Sequence, residues 1–333
     1  MFIALFGAVE SGVIYAIMAL GVYLSFRVLD FPDLTVDGSF VTGAGITGVL
    51  IVNGTPPVLA TLIGALAGFI AGCITGILHT AGKINALLSG ILMMIALYSI
   101  NLRFMGQPTV SLLNESTLVS QIESLWASTG IDSALNGMLN VFELDRVPTT
   151  WAILIMMAIL TLAIKFLLDY FLKTEIGLAI RATGDNQKMI RSLSANTNFL
   201  IIIGIGLSNG LVALSGALIG QHGGFANLNM GIGMIVIGLA SVIIGEALFG
   251  KKTITRVTLA VIGGAIIYRV VVTVALRVDY LSIQSSDLKL ITAILVIAAL
   301  VTPKILQARK DKKRRQAKRA ALMEQQKESE ASA

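Results

Sequence analysis

The chain has 333 residues, of which 55% are hydrophobic and only 13% are charged, and its mean hydropathy is +0.84. Soluble domains carry about 25% charged residues, so this composition excludes a single soluble enzyme and indicates an integral membrane protein. One cysteine and two histidines provide neither a disulfide framework nor a cysteine- or histidine-based metal site. The sequence therefore predicts no metal and no bound cofactor.

The apolar residues fall in blocks of the length that an α-helix needs to cross a bilayer, about 20 residues. In chain order the predicted membrane helices lie near Phe2–Phe26, Phe40–Val52, Val58–Thr80, Asn85–Phe104, Trp151–Leu172, Phe199–Gly220, Met234–Phe249, Val257–Leu276 and Leu288–Val301. We therefore expect an all-α integral membrane protein with about nine transmembrane helices, as a polytopic domain over residues 1–302.

The distribution of lysine and arginine predicts the orientation of these helices. No basic residue precedes Arg27, whereas Lys83, the stretch Lys173–Arg191 and the cluster Lys251–Arg256 all fall on one side of nine crossings. The positive-inside rule makes that side cytoplasmic. We expect an N-terminus outside, a cytoplasmic C-terminus and residence in a bacterial cell membrane.

The whole net charge of +6 comes from residues 303–333, because residues 1–302 hold equal numbers of basic and acidic side chains. A basic segment directly after a membrane helix is typical of a cytoplasmic tail that contacts anionic lipid headgroups. We therefore predict a tail that is disordered beyond its start, with membrane lipids and no nucleic acid as partners.

Two long polar segments interrupt the series of membrane helices. The outer loop, residues 105–150, contains Trp126, Ile122 and Leu125, which predicts an interfacial or partner-facing helix. The inner loop, residues 173–198, reads as helical between breaks at Gly177 and Gly184 and again after Asn186. Loops of this length usually have a function.

Two breaks in the apolar pattern lie in different halves of the chain. The first, Arg27–Phe40, contains Asp30, Asp33, Asp37 and Pro32 before an unusually short helix, and the second is Gln221–Gly233. Irregular backbone at membrane depth is tolerated where it is buried in protein or lines a watery cavity, and paired breaks indicate a transport pathway built from repeats. An ordinary cytoplasmic turn with aspartate caps remains the alternative for the first break.

Small residues recur at helical spacing and predict close helix packing. They form three sets: Gly64, Gly68, Gly72 and Gly76; Gly206 and Gly210; Gly216 and Gly220. The pattern fits packing within one subunit and a dimer seam equally well. Gly43–Gly48 matches GxGxxG but lies in a membrane segment, so we interpret it as a packing motif as well.

The sequence contains no catalytic motif. Gly245–Lys251 approaches a phosphate loop, but Lys252 replaces the Ser or Thr that would hold magnesium, so we predict that this chain is not an enzyme.

Glu10, Glu246 and Arg269 lie within or at the ends of apolar runs. Such charges are functional candidates, although Glu246 and Arg269 could pair between helices and Glu10 could reach the outer interface.

Three stretches resemble the permease subunits of binding-protein-dependent ABC importers of the branched-chain amino acid and ribose permease superfamily. They are Asp33–Ser39, Arg181–Asn186 followed by Asn198–Leu200 and Ser208–Gly216, and Gly231–Gly250. Glu246 and Lys251 depart from that pattern, which usually has glycine there. The form of Asp33–Ser39 most resembles an amino-acid-linked branch of this superfamily, for some members of which aromatic amino acids are suggested.

The resemblance implies that two copies form the pore, that a cytoplasmic ABC ATPase docks on the inner face, and that an external or lipid-anchored binding protein delivers the solute. It identifies as ATPase-coupling residues Glu175, Gly177, Arg181, Ala182, Gly184, Asn186 and Arg191. For the translocation pathway we predict Asp33, Thr35, Asp37, Ser39, Asn85, Ser89 and Asn209.

Two other classes of function compete with this interpretation. A secondary transporter driven by an ion gradient would use Glu10 or Glu246 as an ion site and would need no ATPase. A membrane scaffold would use the glycine ridges alone, but broken helices and buried polar residues are costly for a scaffold without a pathway.

Overall fold

The computed structural model describes residues 1–128, 130–139, 147–193, 195–250 and 253–276, together with residues 294 and 297. The predicted ninth helix, Leu288–Val301, and the basic tail of residues 303–333 lie outside this range, as do Arg146, Lys251 and Lys252. The described residues form one helical unit with a small two-stranded sheet.

The described part of the chain contains eleven α-helices and two strands. They are α1 (Phe2–Tyr23), α2 (Thr35–Val52), α3 (Pro57–Thr80), α4 (Ala86–Met105), β1 (Thr109–Ser111), α5 (Leu118–Ala127), α6 (Ile131–Leu139), α7 (Ala152–Phe171), α8 (Glu175–Ser192), α9 (Thr197–Gly223), β2 (Phe225–Asn227), α10 (Met234–Phe249) and α11 (Ile254–Ala275). All but α5, α6 and α8 are long and apolar enough to cross a membrane. The predicted all-α membrane fold is confirmed.

Several helix boundaries follow from local sequence chemistry. Pro57 opens α3 at a position where a missing backbone N–H costs nothing. The Asn85 side chain accepts a hydrogen bond from the Leu87 amide and caps the start of α4. Gly106, with φ +69°, ends the same helix in the left-handed conformation that glycine adopts without strain.

The glycine-rich sets pack helices together within this one chain. Along α3, a Cβ at Gly68 would lie 2.2 Å from the Ala213 side chain and one at Gly72 would lie 2.5 Å from the Ile205 carbonyl oxygen, both on α9. Gly216 of α9 is equally close to the backbone of Phe40 on α2. The sequence left open whether these glycines pack helices within one subunit or form a dimer seam. In the structure they pack helices of one subunit against each other.

The GxGxxG stretch is also a packing motif, as predicted. A Cβ at Gly43 would lie 1.9 Å from the Ala213 carbonyl oxygen, and one at Gly45 would lie 2.7 Å from the Met105 sulfur. The motif thus lets α2 approach α9 and α4 closely. It begins in the middle of a helix, so it has no free helix start for a pyrophosphate.

The two ends of the helical unit differ. At one end, here called the sheet end, β1 pairs antiparallel with β2, with Val110 opposite Ala226. The short helices α5 and α6 lie at this end, where the Trp126 and Trp151 indole N–H groups donate to Asp132 and Asn136. The opposite end, here called the α8 end, carries α8 between α7 and α9.

Candidate functional site

The first break follows α1 through a turn of π-helix, Leu24–Val28. The Phe31 amide reaches back to the Ser25 carbonyl oxygen at 2.9 Å, and Asp30 adopts φ +51°, a left-handed conformation that aspartate tolerates better than most residues. Helix α2 then starts at Thr35. The prediction of an unusually short helix starting at Phe40 is therefore wrong, because the polar first turn from Thr35 to Ser39 is itself helical.

Asp33 organises a buried polar network at this break. Its side chain is fully buried, with one carboxylate oxygen accepting from the Thr35 amide at 2.9 Å and the other from the Asn209 side-chain amide at 2.6 Å. The Thr35 hydroxyl lies 2.8 Å from that of Thr75 on α3. Three predicted pathway residues, Asp33, Thr35 and Asn209, are thus brought together, and they tie α2 to α3 and α9.

Asp37 connects the first break to the second. From the first turn of α2, its two carboxylate oxygens accept hydrogen bonds from the backbone amides of Gly233 at 2.9 Å and Ile235 at 2.8 Å. These amides lie at the start of α10, where the helix dipole favours a negative charge. The carboxylate therefore caps a helix from the other half of the chain.

The second break runs along α2 toward the same point. Helix α9 continues to Gly223, so this break is shorter than predicted and comprises Gly224, β2, a 3₁₀ turn over Leu228–Gly231 and the residues up to Gly233. A Cβ at Gly231 would lie 2.1 Å from the Asp37 carbonyl oxygen. Only glycine permits this approach of the 3₁₀ turn to the start of α2.

A cavity of about 430 Å³ opens beside this meeting point. Its walls come from the start of α2, from α4 and from the 3₁₀ turn, and it is mostly apolar. The lining residues used below are Asp37, Gly38, Met94, Ile95, Tyr98 and Ile232.

The other predicted pathway residues lie apart from this cavity. Asn85 is the exposed cap of α4 at the α8 end, and the buried Ser89 hydroxyl donates to the Asn85 carbonyl oxygen at 3.0 Å. The hydroxyl of Ser39 is buried without a hydrogen-bond partner among the described residues. Asn85 therefore lies at the α8 end, whereas Ser89 precedes Gly90, where a Cβ would lie 3.3 Å from an Asp33 carboxylate oxygen, so this turn of α4 packs against the Asp33 network.

Helix α8 contains all seven predicted coupling residues. It runs through Gly177 and Gly184 without interruption, so the predicted breaks at these glycines are wrong, whereas Asn186 has non-helical backbone angles and kinks the helix. The glycines serve close packing instead. A Cβ at Gly177 would lie 2.1 Å from the Phe171 carbonyl oxygen, and one at Gly184 would lie 2.1 Å from that of Val28.

The polar face of α8 borders a cleft of about 710 Å³ at the α8 end. Arg181 and Ala182 line it opposite Arg27 and Asp30 of the first break. Glu175, in the first turn, is exposed. The Arg191 guanidinium donates to Thr197 and Asn198 at the start of α9, at 3.0 and 3.3 Å, and so fixes the end of α8 to the next membrane helix.

An ion pair joins the first break to the far end of α10. The Arg27 guanidinium in the π-helical turn pairs with the Glu246 carboxylate, which is buried. The suggested pairing of Glu246 with Arg269 is therefore wrong. Arg269 instead donates to the Ser11 hydroxyl at 3.1 Å and lies over the Tyr15 ring at 4.9 Å.

Sequence reasoning missed a second ion pair, in which both side chains are buried. The Lys165 ammonium lies 2.6 Å from the Asp169 carboxylate on α7, and the Thr258 hydroxyl of α11 donates to the same carboxylate at 2.7 Å. Opposite charges four residues apart inside an apolar run were the available signal. Glu10 on α1 is likewise buried.

Within the described part of the chain, no group of three or more His, Cys, Asp or Glu side chains is placed to hold a metal ion. The described residues instead form capped helix starts, ion pairs and a cavity.

Comparisons with known proteins agree with this arrangement. No solved structure gives a significant match. The chain is 41% identical over 292 residues, 88% of each chain, to a tyrosine transport system permease protein of Clostridioides difficile (strain R20291). It is 32% identical over 209 residues, 63% of this chain and 65% of the other, to an uncharacterised protein of Rickettsia prowazekii (strain Madrid E). Residues 4–300 match the family described as the permease component of branched-chain amino acid transport systems, and the chain belongs to that family.

Proposed function

We propose that this chain forms the translocation pathway of an ABC importer for an amino acid, with tyrosine or a similar aromatic amino acid as the first substrate to test. The observation that carries the proposal is the meeting of the two breaks at Asp37, beside a cavity. Helix starts and irregular backbone that meet inside a bundle form sites for polar solutes in membranes. Membership in the permease family supports the same conclusion.

The choice of an aromatic substrate rests on two observations. The relative with 41% identity carries the name of a tyrosine transport system permease. The cavity is lined mainly by apolar side chains and includes the exposed ring of Tyr98. A large apolar side chain fits such walls better than a small polar one.

In this proposal, the Asp33 network and Asp37 belong to the pathway and α8 couples it to a separate cytoplasmic ATPase. Gly184 supports that role, since it places α8 directly against the backbone of the first break.

A binding protein would approach the sheet end, where Leu113 and Leu125 are exposed. Two copies of the chain would form the pore in a bacterial plasma membrane, with the N-terminus outside and the α8 end in the cytoplasm.

The proposed domain division keeps residues 1–302 as the permease unit, with the outer loop 105–150 and the coupling loop 173–198. Residues 303–333 would form a cytoplasmic tail that contacts anionic lipids. ATP hydrolysis is assigned to the partner subunit, and the chain itself needs no cofactor.

The first test is co-purification of the tagged protein from its native membrane, with mass spectrometry and an ATPase assay on the product. We expect an ATPase with a phosphate-binding loop to co-purify, and we expect its amount to fall when Arg181 is replaced by alanine. Lys83→Ala, an exposed basic residue at the same end, is the matched control.

A homo-oligomer without any ATPase would overturn the proposal in favour of a carrier driven by an ion gradient. The ion pair between Arg27 and Glu246 speaks against Glu246 as an ion site in such a carrier, because its charge is already compensated. Glu10 would then be the acid to replace first.

A further inference from the structure

We propose that the cavity beside the second break is a substrate subsite in which Asp37 receives the ammonium group of an amino acid and Tyr98 and Ile232 contact its aromatic side chain. This inference rests on the proposed function, because it takes an amino acid as the solute. It adds two residues, Tyr98 and Ile232, which the sequence did not single out.

The size and position of the cavity suit a small ligand. Its volume of about 430 Å³ falls within the range of about 300–1,000 Å³ that is usual for ligand sites. It lies between the start of α2 and the turn that leads into α10, so a solute there would contact α2, α4 and that turn. Movement of α2 or α10 would therefore change the shape of the cavity.

Bare backbone forms part of its lining. Gly38 and Gly231 both line the cavity. A Cβ at Gly38 would lie 2.8 Å from the Leu97 side chain, and one at Gly231 would lie 2.1 Å from the Asp37 carbonyl oxygen. The close approach that these glycines allow places the 3₁₀ turn at the edge of the cavity, where Ile232 is 53% exposed.

The charge of the cavity fits a cation better than an anion. Among the described residues that line it, Asp37 is the one charged side chain, and no lysine or arginine accompanies it. The amides at the start of α10 hold this carboxylate in place. Asp37 remains partly accessible, so a substrate ammonium can approach it from the cavity.

The opposite wall fits an aromatic side chain. Tyr98 of α4 is 52% exposed, and Met94 and Ile95 lie on the same wall. Aromatic rings pair favourably with one another, and methionine sulfur makes favourable contacts with rings. The wall therefore favours tyrosine or phenylalanine over a small or polar amino acid.

The test uses the complete transporter, with its ATPase and binding protein, reconstituted in proteoliposomes. ATP-dependent uptake of labelled tyrosine is measured at equal amounts of assembled complex, with unlabelled phenylalanine and leucine as competitors. We expect Tyr98→Ala and Ile232→Ala to lower tyrosine uptake by about tenfold or more, the scale of lost apolar contacts in a pocket. The matched control is Tyr170→Ala, which removes a tyrosine that is 73% exposed on α7.

A more conservative substitution covers the case in which the alanine variants do not assemble with the ATPase and the binding protein. Tyr98→Phe keeps the ring, so we expect it to assemble and to change the preference between tyrosine and phenylalanine as competitors. The subsite is wrong if the wild type imports tyrosine while the Tyr98 and Ile232 variants behave like Tyr170→Ala. If the wild type imports no amino acid, the proposed function itself fails.

Discussion

The two breaks meet at Asp37, but different kinds of interaction hold them in place. The first is held by buried side chains, with Asp33 bound to Thr35 and Asn209. The second is held mainly by backbone, through the pairing of β1 with β2 and the glycine at position 231. A polar side-chain network inside a low-dielectric bundle is costly to disturb, whereas the glycine contact brings the backbone of the 3₁₀ turn directly against α2.

This difference separates two tasks. The first break contacts α8 through Gly184 and the far end of α10 through the Arg27–Glu246 ion pair, so it is suited to transmit movement from the α8 end. The second break borders the cavity together with Asp37 and Gly38 from the end of the first break, so a solute would be contacted there. Asp37 accepts hydrogen bonds at the start of α10, so in the proposed mechanism rigid-body movement of one break would reach the other.

The largest expected effect comes from Asp33→Ala at the first break. The change leaves the buried Thr35 amide and Asn209 side chain without their acceptor, at a cost of about 1.5–3 kcal/mol for each hydrogen bond to a charged group. We expect a clear fall in thermal stability in detergent and loss of uptake. Asp30→Asn, a change at an exposed neighbour that keeps a residue tolerant of the left-handed conformation, is the control, and equal stability of the two variants would contradict a structural role for the network.

Gly184→Ala tests the contact between α8 and the first break. A Cβ there would lie 2.1 Å from the Val28 carbonyl oxygen, so the helix must move away. We expect the ATPase to stay bound while substrate-stimulated hydrolysis and uptake are lost. Gly7→Ala, where a Cβ has open space, is the control, and normal coupling in Gly184→Ala would show that this contact transmits nothing.

Asp37→Asn tests the connection between the breaks. The amide keeps the size of the side chain but loses the negative charge at the start of α10 and in the cavity. We expect uptake to fall by about tenfold, as for removal of a charged contact worth about 1.4 kcal/mol, with an assembled complex. Unchanged uptake would remove Asp37 from the pathway.

The Arg27–Glu246 ion pair is expected to contribute less to stability. Arg27 is 45% exposed on its side chain but Glu246 is only 6% exposed, so solvent screens the arginine while its removal leaves a buried carboxylate without a cation. We expect Arg27→Gln to lower coupling a few-fold with a moderate fall in melting temperature. The doubly exchanged variant, Arg27→Glu with Glu246→Arg, should recover part of the coupling, and no recovery would argue against the pair as the connection.

The smallest effect is expected from Asn227→Ala at the sheet end. Its side chain donates to Thr109 at 2.6 Å and accepts from the Asn229 amide at 2.7 Å, but it is partly solvated. Because water can replace the hydrogen bonds of a partly solvated side chain, each bond contributes only about 0.5–1.5 kcal/mol to the free energy of unfolding. A melting temperature close to that of the wild type would fit a break held mainly by backbone, and a large decrease would show that side chains hold both breaks.

The sequence by itself determined the membrane fold, the positions of most helices, the two breaks and the family. Long apolar runs, charge asymmetry and glycine spacing are local patterns that physical chemistry interprets without knowledge of partners. The residues Asp33, Thr35 and Asn209 were also singled out from the sequence, but not their mutual hydrogen bonds.

Only the tertiary structure decided which groups meet. The pairing of Glu246 with Arg27 rather than with Arg269, the capping of α10 by Asp37 and the lining of one cavity by both Tyr98 and Ile232 all involve residues far apart in the chain. Such contacts depend on how the helices pack, and that packing includes close contacts of Gly38 with Leu97 of α4, of Gly231 with Asp37 of α2 and of Gly238 with Val22 of α1. No local pattern encodes the partner of a glycine, which is why sequence alone left these pairings open.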